Sequence, residues 1–531
     1  MKRLPLGMQS LREIICDGYV YVDKTPFVYS LINDTKHYFL SRPRRFGKSL
    51  LLDTIAEIFS GDKELFRGLF IYDSDFSFEK HPVLRLDMSN IANESTEILK
   101  EELSNELQKR VRLESFDFDY NTPSAIFKAL IEGLYKKYDR RVVVLIDEYD
   151  KPILDQINRI ELAEANRDML SGFYGVLKSM DPFLRLTFIT GVTKFTKTSI
   201  FSGLNNLRDI TMSRKYANIC GIATNELSNY FGEHMEKLSS LEEFSRYDSI
   251  LEKILLWYDG YSWDGKSRLI NPFSLLYFFS EEQFSNYWYA SGTPTFLIKL
   301  LKNKPESFLT INDLEISKRV LDTFDIRKIS VLPLLFQTGY LTVKEALYRG
   351  EPDIYLLEIP NHEVREALYM NIVAEFTERD EDFAESAYRR IKESLNVGDL
   401  QNILEILKSL FASIPYQLHM KHEHYYHAIF YTLMNLLGFS IVAEESVSGG
   451  RIDAVLELDD KVYVIEFKYV GCDSDTLPEE KQTIYDKALD EGMRQINNKG
   501  YAKKYTGSGK VVYKVAFAFL GRDYIEFKME L

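Results

Sequence analysis

The sequence predicts an α/β chain in three parts: a parallel sheet flanked by helices, a mainly helical middle, and a second, smaller α/β unit. Three observations predict it. Between about residues 36 and 215, short apolar runs alternate with helical patterns; from about 225 to 390 helical patterns dominate; after about 395, helices give way to strand-like runs separated by tight turns. The expected boundaries are 1–225, 226–390 and 391–531, in keeping with a 531-residue chain and a soft expectation of roughly 150 residues per domain.

In the first part, "HYFLS", "PVLRLDMSN", "RRVVVLIDE" and "LRLTFITGVTK" read as strands, separated by segments such as "TEILKEELSNELQKRV". This alternation implies parallel pairing, because parallel strands need crossover connections. "VVVLI" has no polar alternation, as expected of a strand buried on both faces. The middle part is read from "NELSNYFGEHMEKLSSLEEF" and "VREALYMNIVAEFTERDEDFAESAYRRIKESL", interrupted by the loops "YDGYSWDGKSRLINP" and "YRGEPDIY". In the last part, helices to about 437 precede the strands "FSIVAEESV", "RIDAVLEL" and "KVYVIEFKYV". The helix "EKQTIYDKALDEGMRQINN" and the strands "VVYKVAFAFL" and "DYIEFKME" follow.

Composition excludes several classes. A net charge of −14 argues against a protein that coats nucleic acid through a broad basic surface, although a local basic groove is compatible with it. Cys16, Cys220 and Cys472 are widely spaced, which indicates neither a disulfide framework nor a cysteine zinc site and suits a reducing compartment. The first 18 residues lack the apolar core of a signal peptide, and no run approaches the ~18 apolar residues that cross a bilayer. A cytoplasmic protein with no membrane association is expected.

The stretch "FLSRPRRFGKSLLLDT" places a phosphate-loop ending, Gly47-Lys48-Ser49, between a strand and a helix. Such a loop needs backbone N–H groups aimed at phosphate, a lysine to neutralise charge and a hydroxyl for Mg²⁺. Arg42 stands where these loops normally carry their first glycine. A second strand ends in Asp147 and Glu148, where Asp147 can hold the metal ion and Glu148 can polarise an attacking water. The next strand ends near Thr190 and Thr193, either of which is a candidate sensor of the terminal phosphate, Thr190 being preferred. Arg42, Arg44 and Arg45 either add charge to the phosphates or lie in solvent or in salt bridges to acidic neighbours.

Together, "GYVYVDKT", "RPRRFGKSL", "LIDEYDKP" and "FITGVTKFTKTSIFSGLNNLRDIT" resemble the AAA-ATPase-like family of bacterial proteins over roughly residues 5 to 225. The Arg-Pro-Arg-Arg-Phe-Gly-Lys-Ser loop is characteristic of that family, so Arg42 resembles a family trait. The resemblance implies a P-loop NTPase sheet binding ATP and Mg²⁺ through Arg44, Arg45, Gly47, Lys48, Ser49, Asp147 and Thr190. It also implies a homo-oligomer, in which an arginine finger can come from a neighbour.

In "GGRIDAVLELDDKVYVIEFKYV", Asp453 lies on one strand and Glu466, Phe467 and Lys468 on the next. Residues i and i+2 share a face, so Glu466 and Lys468 point together while Phe467 points into apolar packing. Two carboxylates on adjacent strands can share a Mg²⁺, and a neighbouring lysine can activate the water that attacks a phosphodiester. The order of elements resembles the PD-(D/E)XK nuclease superfamily over roughly residues 410 to 531, with Ile452 in place of the proline of its first motif. That resemblance implies Glu423, on the first helix, as a further metal ligand, and Gln495, on the later helix, as a residue near the site.

His419, His422, His424 and His427 cluster in the first-helix segment and raise a zinc reading, weaker than a surface or phosphate-contacting role without nearby cysteines. Lys499, Lys503, Lys504 and Lys510, interleaved with Tyr501 and Tyr505, read either as a track for a nucleic-acid backbone or as a solvated basic turn. The expected function is an ATP-regulated, Mg²⁺-dependent nuclease with DNA favoured. The alternatives are a nucleotide-binding switch without turnover and a nuclease directed at RNA.

Overall fold

Val142 to Ile146 is an unbroken aliphatic run, stable as a strand only with both faces covered. In the computed structural model it lies inside a five-stranded sheet. The structure describes residues 1–118, 120–195, 200–201, 204, 206–244, 249–288, 314–321, 325–327, 330–347, 353–377, 380–412, 440–447, 450–457, 461–470, 478–498, 505, 509–520 and 524–531. They divide into two compact units, one from Met1–Phe296 and Asp313–Glu363, the other mainly from Val364–Leu531.

In the first unit, β1 (His37–Ser41), β2 (Val83–Asp87), β3 (Val142–Asp147), β4 (Leu184–Gly191) and β5 (Arg208–Asp209) are all parallel, in the order β2, β3, β4, β1, β5. β1 and β3 are buried throughout, whereas β2, at the edge, alternates. The order inserts β4 between the phosphate-loop strand and the acidic strand. Register aligns Ser41 with Gly191 and Asp87 with Asp147, so the loop and the acidic residues leave the same, C-terminal edge of the sheet. Ligands of open parallel sheets gather at that edge.

Helix α1 (Lys48–Ser60) follows the loop directly. Crossover helices α2 (Thr96–Leu113) and α3 (Pro123–Tyr138) begin at Ser95 and Thr122, whose side-chain oxygens accept from Ile98 N and Ala125 N. α2 buries Leu99, Leu103, Leu107 and Val111, a four-residue repeat on one face.

The middle is helical, as the pattern predicts: α4 (Thr224–Ser239), α5 (Ile250–Tyr258) and α6 (Pro272–Glu281) share a core of Leu227, Phe231, Ile254, Tyr258, Leu275 and Phe278. It also carries strands. β6 (Ile222–Ala223) pairs with β7 (Leu269–Ile270), and β8 (Leu314–Ser317), β10 (Ile354–Glu358) and β9 (Thr342–Leu347) form an antiparallel sheet in that order.

The second unit contains α7 (Glu381–Val397), α8 (Leu400–Ala412) and a five-stranded sheet in sequence order. Its strands are β11 (Ser440–Val447), β12 (Gly450–Glu457), β13 (Lys461–Val470), β14 (Val511–Leu520) and β15 (Tyr524–Glu530). All pairings are antiparallel except β13 with β14, and the connection between those two contains α9 (Pro478–Asn498). Parallel pairing requires such a crossover. α9 packs Tyr485, Ala488, Leu489, Met493 and Ile496 with Val455, Val464, Ala516 and Ala518 of the sheet.

Candidate functional site

Gly47 has φ +88° and caps α1 from the left-handed region that glycine tolerates best. Arg45 is left-handed as well, at φ +67°, and its guanidinium lies 4.9 Å from the Phe273 ring centroid. Lys48 is buried. Its Nζ donates to the carbonyls of Arg42 (3.0 Å) and Pro43 (2.9 Å), and burial lowers its pKa against the opposing pull of Asp147 and Glu148. Ser49 Oγ donates to Asp147 Oδ2 at 2.6 Å, while Asp147 Oδ1 accepts from Glu148 N at 3.0 Å. A hydroxyl and a carboxylate so placed are a hard-oxygen pair suited to Mg²⁺. Burial pushes the Glu148 carboxyl above the usual range, with Lys48 pulling the other way.

Arg44, Arg45, Gly47, Lys48, Ser49 and Glu148 line one open cleft of about 1240 Å³, joined by Lys151, by Pro5–Gln9 residues of the N-terminal segment and by Phe273 of α6. Asp147 reaches it through Ser49. Thr190 is not in the lining: it is fully buried, and its Oγ1 donates to Leu40 O at 2.8 Å, tying β4 to β1. The hydroxyl of Thr193 instead donates to the buried Asp150 at 2.6 Å.

Arg42 takes neither position expected for it. It is fully buried, donating from Nη1 to the carbonyls of Ser41 (2.9 Å) and Thr211 (2.8 Å), with its guanidinium 3.9 Å from the Trp263 ring centroid. Burial lowers its pKa to about 10. Phe46 packs edge-on against Tyr261 and Trp263 at 4.9 and 5.2 Å. The loop is thus pinned to the aromatic segment "YDGYSWDGKSRLINP", a connection that no local pattern announces.

A second, apolar pocket of about 600 Å³ shares Pro5, Phe46, Gly47, Leu50, Pro272 and Leu276 with the cleft, and adds Val20, Tyr21, Val22, Ile222 and Phe231. "GYVYVDKT" supplies much of this wall. At its border, Lys24 Nζ meets both carboxylate oxygens of Glu226 at 2.7 Å, and Glu226 also accepts from Ala223 N at the start of α4. An apolar pocket thus adjoins the cleft that carries Arg44, Arg45, Lys48 and Lys151.

In the second unit, the last pair of the β12–β13 ladder is Ala454 with Ile465. Beyond it, Asp453 Oδ2 accepts from Phe467 N at 2.9 Å, the side chain taking a backbone donor where the strands part. Val455 and Val464 pack toward α9, so the two-residue period puts Asp453, Glu466 and Lys468 on that face. Phe467 lies opposite, stacked on Phe517. Glu466 is buried, and Lys468 Nζ donates to Glu466 Oε1 at 3.1 Å and to Gln495 Oε1 at 2.9 Å. Four of the five expected residues therefore belong to one place; Glu423 lies outside the described residues.

The four clustered histidines, Lys499, Tyr501, Lys503 and Lys504 are also outside the described residues. Tyr505 is buried in the α9-side core, which places it in neither a nucleic-acid track nor a solvated turn. Among the described residues, no group of three or more His, Cys, Asp or Glu forms a ready metal cluster, and no helix is long and apolar enough to cross a membrane.

The fold and geometry define a nucleotide-binding P-loop domain joined in one chain to a nuclease-type sheet. Comparison agrees: residues 5–201 match the family "Predicted AAA-ATPase", and residues 421–527 match the PD-(D/E)XK nuclease superfamily. Over 524 residues the chain is 34% identical to "Uncharacterized protein in vnfD 5'region" of Azotobacter chroococcum mcd 1, covering 98% of this chain and 96% of that protein. The chain belongs to the same family as that protein, the AAA-ATPase-like proteins with a C-terminal PD-(D/E)XK nuclease superfamily domain. A solved structure, the Aeropyrum pernix ORC2 protein in ADPNP and ADP complexes, aligns with 68% of this chain and 98% of its own at 14% identity. The TM-score of that alignment is 0.26.

Proposed function

We propose that this chain is an ATP-controlled, Mg²⁺-dependent nuclease that hydrolyses phosphodiester bonds, with DNA favoured and RNA the second substrate to test. The observation that carries the reading is Lys468, its amine held between Glu466 and Gln495 on the sheet face that also bears Asp453. Asp453 and Glu466 offer the hard oxygen donors that Mg²⁺ requires, and Glu423 is proposed as a third ligand. Bound there, the ion would supply charge to the scissile phosphate and acidity to the attacking water. Lys468 orients that water, and Gln495 keeps the amine at the reacting face.

In the first unit, Lys48, Arg44 and Arg45 meet the phosphates, Ser49 and Asp147 hold their Mg²⁺, and the apolar pocket takes the base. Residues 1–225 read the nucleotide, 226–390 relay its state, and 391–531 cut. The test incubates the purified chain with panels of DNA and RNA, with Mg²⁺ or EDTA, with and without ATP, beside Lys48→Ala. Cleavage is expected to require Mg²⁺ and respond to ATP. Lys48→Ala should weaken ATP binding roughly ten- to hundredfold, the loss of charge-assisted hydrogen bonds, and abolish the response. Cleavage surviving EDTA sinks the metal assignment; cleavage indifferent to both ATP and Lys48→Ala sinks the control.

Glu148 adds a pH signature to nucleotide hydrolysis. A base must be ionised, and burial raises this carboxyl, so the rate is expected to fall with acid at a pH above the ordinary glutamate value. Phosphate release measured against pH checks this. A rate that stays flat down through the ordinary glutamate range, or one unchanged in Glu148→Gln, removes Glu148 from that role.

A further inference from the structure

Glycine is, after proline, the least favoured residue inside a helix, so a glycine in α9 at position 492 calls for a packing reason. The reason lies on the sheet. A Cβ placed on Gly492 would stand 2.9 Å from Ala516 Cβ and 3.7 Å from Lys468 Cγ. Ala516 is fully buried on β14, in parallel register with Glu466 on β13, and its Cβ is fixed to the strand backbone. No side-chain rotation relieves such a contact; the helix and the sheet must move apart.

Gln495 sits three residues after Gly492, on the same side of α9, and its Oε1 accepts from Lys468 Nζ at 2.9 Å. One helix face therefore does two things: the bare backbone at Gly492 borders the Lys468 stem, and the amide one turn later holds the amine. We propose that Gly492 is a positioning residue for phosphodiester cleavage. It sets the approach of α9 to β13 and β14 that lets Gln495 hold Lys468 beside Glu466. This inference rests on the role assigned to Lys468 above.

The test compares Gly492→Ala, Ala516→Gly and the double variant in the full chain. In Gly492→Ala, kcat is expected to fall roughly ten- to a hundredfold with KM for nucleic acid little changed, the usual consequence of displacing a reacting group by an ångström or less. The double variant removes the opposing methyl and should recover kcat to within about threefold, a coupling that separates this contact from general destabilisation. A second readout is independent of activity: chains labelled with ¹³Cε-lysine, with the Lys468 resonance assigned by its loss in Lys468→Ala. That resonance should shift in Gly492→Ala and return in the double variant. An unchanged kcat with an unmoved resonance overturns the proposal, as does a defect, including failure to fold, that Ala516→Gly does not repair. If the wild-type chain cleaves no nucleic acid while the resonance shifts and returns, the nuclease reading fails and the positioning of Lys468 by Gly492 stands.

Discussion

Lys468→Ala is expected to lower phosphodiester cleavage by at least ~100-fold per folded molecule, the range over which positioned acid–base groups act. The side chain is mostly buried, and its amine donates to Glu466 and Gln495, so its place is set by the fold rather than by the substrate. Removing it also takes the cation from a carboxylate that is 1% exposed, which carries a stability cost of a few kcal/mol for a broken buried pair. For that reason the rate is read beside thermal unfolding, and Lys468→Gln, which keeps a stem and a polar end, serves as companion. Both variants should be folded at the assay temperature and both should fail to cleave. Cleavage within tenfold of wild type in a folded variant would falsify the assignment.

Arg42→Gly, which restores the residue most phosphate loops carry, is expected to destabilise the first unit by about 3–5 kcal/mol. This combines a charged donor lost from two buried carbonyls, a cation–π contact and a cavity beside Trp263. Arg42→Lys should recover little of it, because an ammonium that takes the two carbonyls held by Nη1 presents no planar face to the indole and has no second nitrogen to reach Ala217 O. Thermal unfolding measures both, with a drop in Tm on the order of 10 °C expected for the glycine variant. A glycine variant as stable as wild type would show that the guanidinium is a passenger. The prediction opposes intuition drawn from loop sequences alone, in which the arginine looks like the defect and glycine like its repair.

That contrast marks how far the sequence could be read. The five-residue aliphatic run before Asp147 was legible as an interior strand, since only a doubly covered strand tolerates it, and the runs ending at Ser41 and Gly191 were legible as strands. Glu466 and Lys468 were legible as one face because strand periodicity is a local property, whereas Asp453 joins that face through the register of β12 with β13. Arg42 was not legible, because its partners Thr211 and Trp263 are distant in sequence and its acceptors are backbone carbonyls, which carry no residue identity. Thr190 illustrates the same limit: a threonine ending a strand reads alike whether its hydroxyl faces a ligand or, as here, a neighbouring strand's carbonyl. β9 and β10 are short and carry charged residues, so their pairing depends on tertiary contacts rather than on pattern. Gly492 was not legible as more than a poor helix residue by propensity, because its neighbour Ala516 lies on a different element.

Lys48 carries a further consequence. Its buried amine bonds the carbonyls of Arg42 and Pro43, so the loop satisfies this cation with its own backbone. On the proposed reading, a phosphate that takes this amine must replace both bonds, and only the difference between the two sets counts toward affinity. Anions of low charge, which offer the amine little more than two carbonyls do, gain almost nothing from the exchange. On that reading, selection by charge density at the loop would precede any reading of the base.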